Sequence, residues 1–149
     1  MKSLITVIVT LAVLLYVAAR VIPLDPDEQR PGLSLSGALV DNPRPDWGFV
    51  AERQKVYVQT NTWYGIPHSV TTISFVVDND LYVPCGWCDT KRWPKNVAAD
   101  PRVMVKIGER LYPRTAVRID DEAARRSILN VPDGEPTPDW ALYRMDPPA

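Results

Sequence analysis

His68, the Cys85-Gly86-Trp87-Cys88 tetrapeptide and the Thr90-Lys91-Arg92 turn are the residues whose types and spacing could do chemistry here. Cys85 and Cys88 are the only cysteines. A Cys-x-x-Cys pair can carry electrons when one thiolate has a depressed pKa. It can instead close a local disulfide that stiffens a loop, or remain as two reduced thiols. The thioredoxin-type motif needs a strand leading into a helix inside a βαβ unit, whereas this chain reads as antiparallel. Haem attachment needs a histidine after the second cysteine, and Asp89 stands there. A zinc site needs four ligands. Only His68 and a carboxylate could join the two thiolates, so no metal is expected.

Thr90, Lys91 and Arg92 precede a short predicted helix. Free N–H groups at a helix N-terminus, beside a hydroxyl and two cations, suit a phosphate. Residues 89–118 hold eight Lys/Arg against three acids on a chain of net charge −1. A local basic surface of this kind fits a small anionic ligand or a solvated strand face, and the overall charge argues against a general nucleic-acid partner. Trp87 and Trp93 could stack on a planar ring or pack as core and rim. His68, the sole histidine, begins a strand. With one histidine and no nucleophile motif, hydrolase chemistry has no support, and no catalytic residue stands out.

The elements that must position these residues follow from patterning. Fifteen prolines punctuate the 149 residues, and those at 23–45 and 132–148 keep both flanks extended. Residues 46–54, DWGFVAERQ, are expected to make one or two helical turns. Strands are expected over 55–60, 68–77, 81–83, 102–107, 110–119 and 140–145, from alternation and β-branched content. Asp78-Asn79-Asp80 and Gly108-Glu109 read as tight turns. Short helices are expected over 92–99, with Pro94 in the first turn, and over 120–129, opened by acids. Six strands in antiparallel hairpins with few helices predict a mainly β, α+β domain, a small closed barrel.

Residues 3–19 carry no charge and are followed by Arg20. With a snorkelling Arg20, Val21 and Ile22 extend the run to about 20 residues, enough for one transmembrane helix. A signal peptide cut after Val17-Ala18-Ala19 is the alternative. Lys2 before the run and Asp25, Asp27 and Glu28 after it predict a cytoplasmic N-terminus, with the domain outside or in the periplasm. The expected division is an anchor over 1–22, a Pro-rich arm over 23–47 and the barrel over 48–149.

Three stretches, GIPHSVTTISFVVDNDLYV, KRWPKNVAADPRVMVKIGERLYPRTAVRI and WALYRMDPP, resemble the FMN-binding split-barrel families, those similar to pyridoxamine 5′-phosphate oxidase. The nearer branch looks like the deazaflavin-dependent nitroreductase-like proteins. The middle stretch is similar to the signature W-x-x-N-[LV]-x-x-[DN]-P-x-V and the hairpin that follows it. The resemblance spans about Val56 to Pro147. It implies a six-stranded split barrel with flanking helices, FMN more than deazaflavin as cofactor, and a homodimer with the site between subunits. It further implies that His68, Ser69, Val70 and Thr71 line the strand side. Thr90, Lys91 and Arg92 would take the phosphate, and Trp93 and Asn96 would shape the pocket. His68 stands near the place of the oxidase branch's arginine, and CGWC replaces small polar residues. The expected function is a membrane-anchored flavin-dependent oxidoreductase. The alternatives are a binding module for a flavin, haem or no ligand, and a thiol–disulfide protein using Cys85 and Cys88.

Overall fold

Gln54–Thr60 (β2) buries Val56, Val58 and Thr60 and turns the residues between them outward. That period of two lets a strand wall a core on one face. The computed structural model describes residues 2–148. Its remaining strands are Ala38–Leu39 (β1), His68–Val77 (β3), Asp80–Cys85 (β4), Arg102–Ile107 (β5), Arg110–Arg118 (β6) and Ala141–Asp146 (β7). They hydrogen-bond in the order β1-β6-β5-β2-β3-β4-β7, and a further β6–β7 pairing closes β2–β7 into a six-stranded antiparallel barrel. β1 lies outside this ring, parallel to the start of β6.

Local chemistry fixes the corners. Asp78 and Asn79 both take positive φ, at 50° and 62°, between the paired Val77 and Asp80. Two left-handed residues match the twist of a two-residue hairpin, and Asp and Asn tolerate that conformation. Gly108, at φ 60°, turns β5 into β6. Helix Arg92–Ala99 (α2) buries Trp93, Pro94 and Val97. Helix Glu122–Ile128 (α3) starts at Asp121, whose carboxylate accepts from the Ala124 N–H. Val58, Leu81, Val83, Val105 and Leu142 are fully enclosed. Trp47, Phe49 and Tyr112 cluster beside them, the Trp47 and Tyr112 rings meeting edge to face at 5.1 Å.

The expected helical turns at 46–54 are instead two separate turns, closed by Val50 N–H to the Trp47 carbonyl and Gln54 N–H to the Ala51 carbonyl. Arg53 takes φ 56°. A left-handed residue cannot continue an α-helix.

Residues 23–45 are extended and irregular as the prolines require, yet they are strapped to the barrel. Lys106, buried in β5, donates to Asp25 at 2.7 Å and to Ser36 Oγ at 3.2 Å. Asp25 also accepts from the N–H and hydroxyl of Ser36. Burial pushes the Asp25 carboxyl up, but the bonds from Lys106 and Ser36 outweigh it and hold the pKa below the usual value. Arg114, buried in β6, donates to the carbonyls of Pro43 and Asn42 and lies over the Trp47 ring at 5.1 Å. Gly32 exchanges both backbone hydrogen bonds with Ser69. A Cβ on Gly32 would lie 2.2 Å from the Leu24 carbonyl oxygen and 2.6 Å from Ser69 Oγ, so only glycine permits this approach.

Helix Lys2–Val21 (α1) precedes the arm. Its Ser3–Val21 stretch is long and apolar enough to cross a membrane, and the window that qualifies is not buried against the domain. A signal sequence would satisfy the same length and composition.

Candidate functional site

β3 and β4 pair over only three residues of each, Phe75–Val77 with Asp80–Tyr82. The first part of β3 therefore has β2 on one edge and no barrel strand on the other. The arm takes that edge at Gly32. A cleft of about 480 Å³ lies beside it, lined by His68, Val70, Thr71 and Thr72 of β3, by Lys91, Arg92 and Trp93, and by Glu28–Pro31 of the arm. This volume is within the range of small-molecule and cofactor sites, roughly 300–1,000 Å³.

The disulfide between Cys85 and Cys88 sets up the α2 side. Cys85 ends β4 in the core, and Trp87 takes a left-handed φ of 48°. A 3₁₀ turn over Cys88–Thr90 follows, where the Thr90 hydroxyl donates to the Trp87 carbonyl at 2.8 Å and Lys91 N–H to the Cys88 carbonyl. The pinned loop thus delivers Lys91 and Arg92 to the cleft. The pair stands here as a disulfide, a state shared by the loop-closing and the redox-active readings.

Lys91 is the N-cap of α2 and gives it no side-chain cap. The first amides of a helix have no partner within it. Pro94 removes one donor by lacking an N–H. The remaining first-turn amides sit beside two exposed cations. Arg92 is braced by its guanidinium lying 5.9 Å from the Tyr64 ring centre. Arg30 adds a cation from the arm, and Glu28 is the acid in the lining.

His68 is half-buried. Burial, then the charge of Arg92, lowers its pKa below the usual 6.5. At pH 7 the ring is neutral and offers one N–H donor and one acceptor. Thr71 lines the cleft, and its buried Oγ1 has no hydrogen-bond partner. Buried hydroxyls are seldom left unpaired, and this one belongs to a residue of the cleft wall. Trp93, 3% exposed, packs against Tyr143 at 4.9 Å between ring centres and shows the cleft only part of itself.

Six of the nine residues expected at a site are gathered here: His68, Val70, Thr71, Lys91, Arg92 and Trp93. The other three do not line the cleft. Ser69 is fully buried against the arm. Thr90 caps its own turn. Asn96 donates to Thr60 Oγ1 at 2.9 Å and braces α2 on β2. Thr72 and Glu28–Pro31 were missed. A Pro-rich arm carries no local signal for a docking place set by contacts far away in sequence. Among the described residues no cluster of His, Cys, Asp and Glu could hold a metal ion.

No protein-family model matches this chain, and no curated protein does. Solved structures do. A Listeria innocua protein assigned as a pyridoxamine 5′-phosphate oxidase superposes with a TM-score of 0.51 at 19% identity, over 64% of this chain and 85% of that one. A Lactobacillus delbrueckii protein with the same assignment superposes at 0.52 and 14% identity, over 64% and 81%. At such identity the likeness shows the fold, which is the split barrel, and leaves chemistry to the site.

Proposed function

We propose that this split-barrel chain is a membrane-anchored, flavin-dependent oxidoreductase that holds FMN in the cleft between β3, the start of α2 and the arm. The observation that carries this reading is the convergence of Lys91, Arg92 and the uncapped N-terminus of α2 with His68 and the orphaned Thr71 hydroxyl. The donor set fits the group: cations and free amides for a phosphate, a neutral imidazole and a hydroxyl for polar ring or ribityl atoms, Val70 and Trp93 for apolar ring area. Bound there, a flavin supplies hydride or electron transfer between a donor and an acceptor.

The chain's own residues bind, orient and shield. Lys91 and Arg92 neutralise a dianion, and charge-assisted bonds to such groups are the strong ones. Neutral His68 donates or accepts without adding charge. Trp93 and the arm exclude water from one side. No protein group needs to act as nucleophile, in keeping with the lack of a Ser-His-Asp arrangement. By the expectation that such sites form between subunits, we propose a homodimer, with the partly exposed outer face of β3 (Ile73, Phe75, Val77) as its apolar contact.

The test is a titration of the detergent-solubilised chain with FMN and with riboflavin, followed by flavin fluorescence. FMN should bind at least tenfold more tightly than riboflavin, and Lys91→Ala/Arg92→Ala should erase the difference. Equal binding of the two, or none of either, would refute a phosphate site on this turn.

A further inference from the structure

We propose that Trp63 seats the domain on the bilayer interface, inserting its indole at the headgroup boundary beside the end of α1. This rests on α1 spanning the membrane. Trp63 is 95% exposed and Trp87, on the disulfide loop, 84%, whereas Trp47 and Trp93 are 4% and 3% exposed; of the two solvated indoles, Trp63 is the one whose loop is fastened to α1. A fully solvated indole is unusual for so large an apolar ring.

Its position is held rather than loose. Thr62 Oγ1 donates to the Ile66 carbonyl at 2.6 Å, and Gly65 N–H to the Thr62 carbonyl at 3.0 Å, closing the loop that carries Trp63. The Trp63 ring stands edge-on to Tyr64 at 5.3 Å. The same loop is fastened to α1, because the Tyr16 hydroxyl donates to the Tyr64 carbonyl at 2.9 Å. Gly65 passes so close that a Cβ there would lie 3.0 Å from the Tyr16 hydroxyl and 3.2 Å from an Arg20 guanidinium nitrogen.

These contacts fix the depth. At about 1.5 Å per residue, Tyr16 lies about 7–8 Å back along the axis from Val21, the last residue of α1. Tyr16, Arg20, Trp63 and Tyr64 therefore cluster at the end of a 19-residue apolar stretch. Aromatic rings and arginine at that level form the belt that anchors spans at the membrane–water boundary. A cleft of about 420 Å³, lined by Arg20, Asn61, Thr62 and Arg102 among others, opens beside the loop and gives the headgroups a polar surface. The occupant that meets the indole, the tyrosines and the arginine together is the bilayer that α1 enters.

The experiment uses the full chain and its Trp63→Phe variant in phosphatidylcholine vesicles, with and without bromines on the upper acyl chain. The emission lost on substitution is that of Trp63. We expect it to be blue-shifted and quenched at least twofold by brominated lipid while both proteins float with the vesicles. Flotation with a Trp63 emission that is water-like and unquenched would overturn the proposal and leave the span intact. Failure of the chain to float would overturn the span and this seating with it.

Discussion

At Arg92 one guanidinium serves two roles: it lies on Tyr64 and lines the cleft. Charge-assisted hydrogen bonds contribute about 1.5–3 kcal/mol, so Arg92→Ala should weaken FMN binding by about tenfold or more in a fluorescence titration, with the fold unchanged by circular dichroism. His68 makes a pH prediction. Burial and Arg92 hold its folded pKa below 6.5. As pH falls through 6.5, the unfolded chain takes up a proton that the folded chain refuses until its own lower pKa. Stability is therefore fully present above 6.5 and declines below it. Urea denaturation at pH 7.5 and 5.5 should show this loss, and His68→Gln should flatten it. That Lys91, Arg92 and His68 would face one cleft was expected from the basic turn and from the family resemblance, and all three line it. The roles of Ser69, Thr90 and Asn96 were not legible, because each depends on a neighbour: Gly32, Trp87 or Thr60.

At the scale of elements, the arm is where stability and site meet. Lys106 in β5 grips Asp25 across 81 residues of sequence. Removing one partner of a buried ion pair strands the other, at a cost of roughly 3–5 kcal/mol for full burial. Asp25 keeps 30% of its side-chain exposure, so Lys106→Ala should cost about 2–3 kcal/mol by chemical denaturation, and proteolysis should then cut first within residues 23–36. The strands His68–Val77 and Arg102–Ile107 match their expected bounds, since alternation and turn chemistry are local signals. The strap is not local: its partners are a buried lysine and a buried arginine whose sequence context says only strand. Residues 46–54 read as helix for the opposite reason, a composition that permits it overridden by Arg53 in the left-handed region.

For the whole molecule, α1, the barrel and the arm form a chain of contacts that runs from the N-terminal helix to the cleft. α1 touches the 61–67 loop, that loop runs into β3, and the arm leaving α1 lines the cleft. If α1 spans the bilayer, the protein should stay with membranes through alkaline carbonate and leave them only in detergent. Release by carbonate would contradict the span. The fold itself was readable in the sequence because alternating strands and the tight turns at 78–79 and 108–109 are local signals, and three stretches resemble the split-barrel families. The strapping of the arm and the contact of the 61–67 loop with α1 were not, since both are set by shape.

The central claim is that this split barrel carries a flavin by its phosphate, and the absorption spectrum of the detergent-purified chain tests it most directly. Spectra are taken before and after FMN addition and desalting, for the wild type and for Lys91→Ala/Arg92→Ala. Flavin bands that survive desalting in the wild type and vanish in the variant are the predicted result. A folded wild type that retains no flavin, or a variant that retains as much, would contradict it.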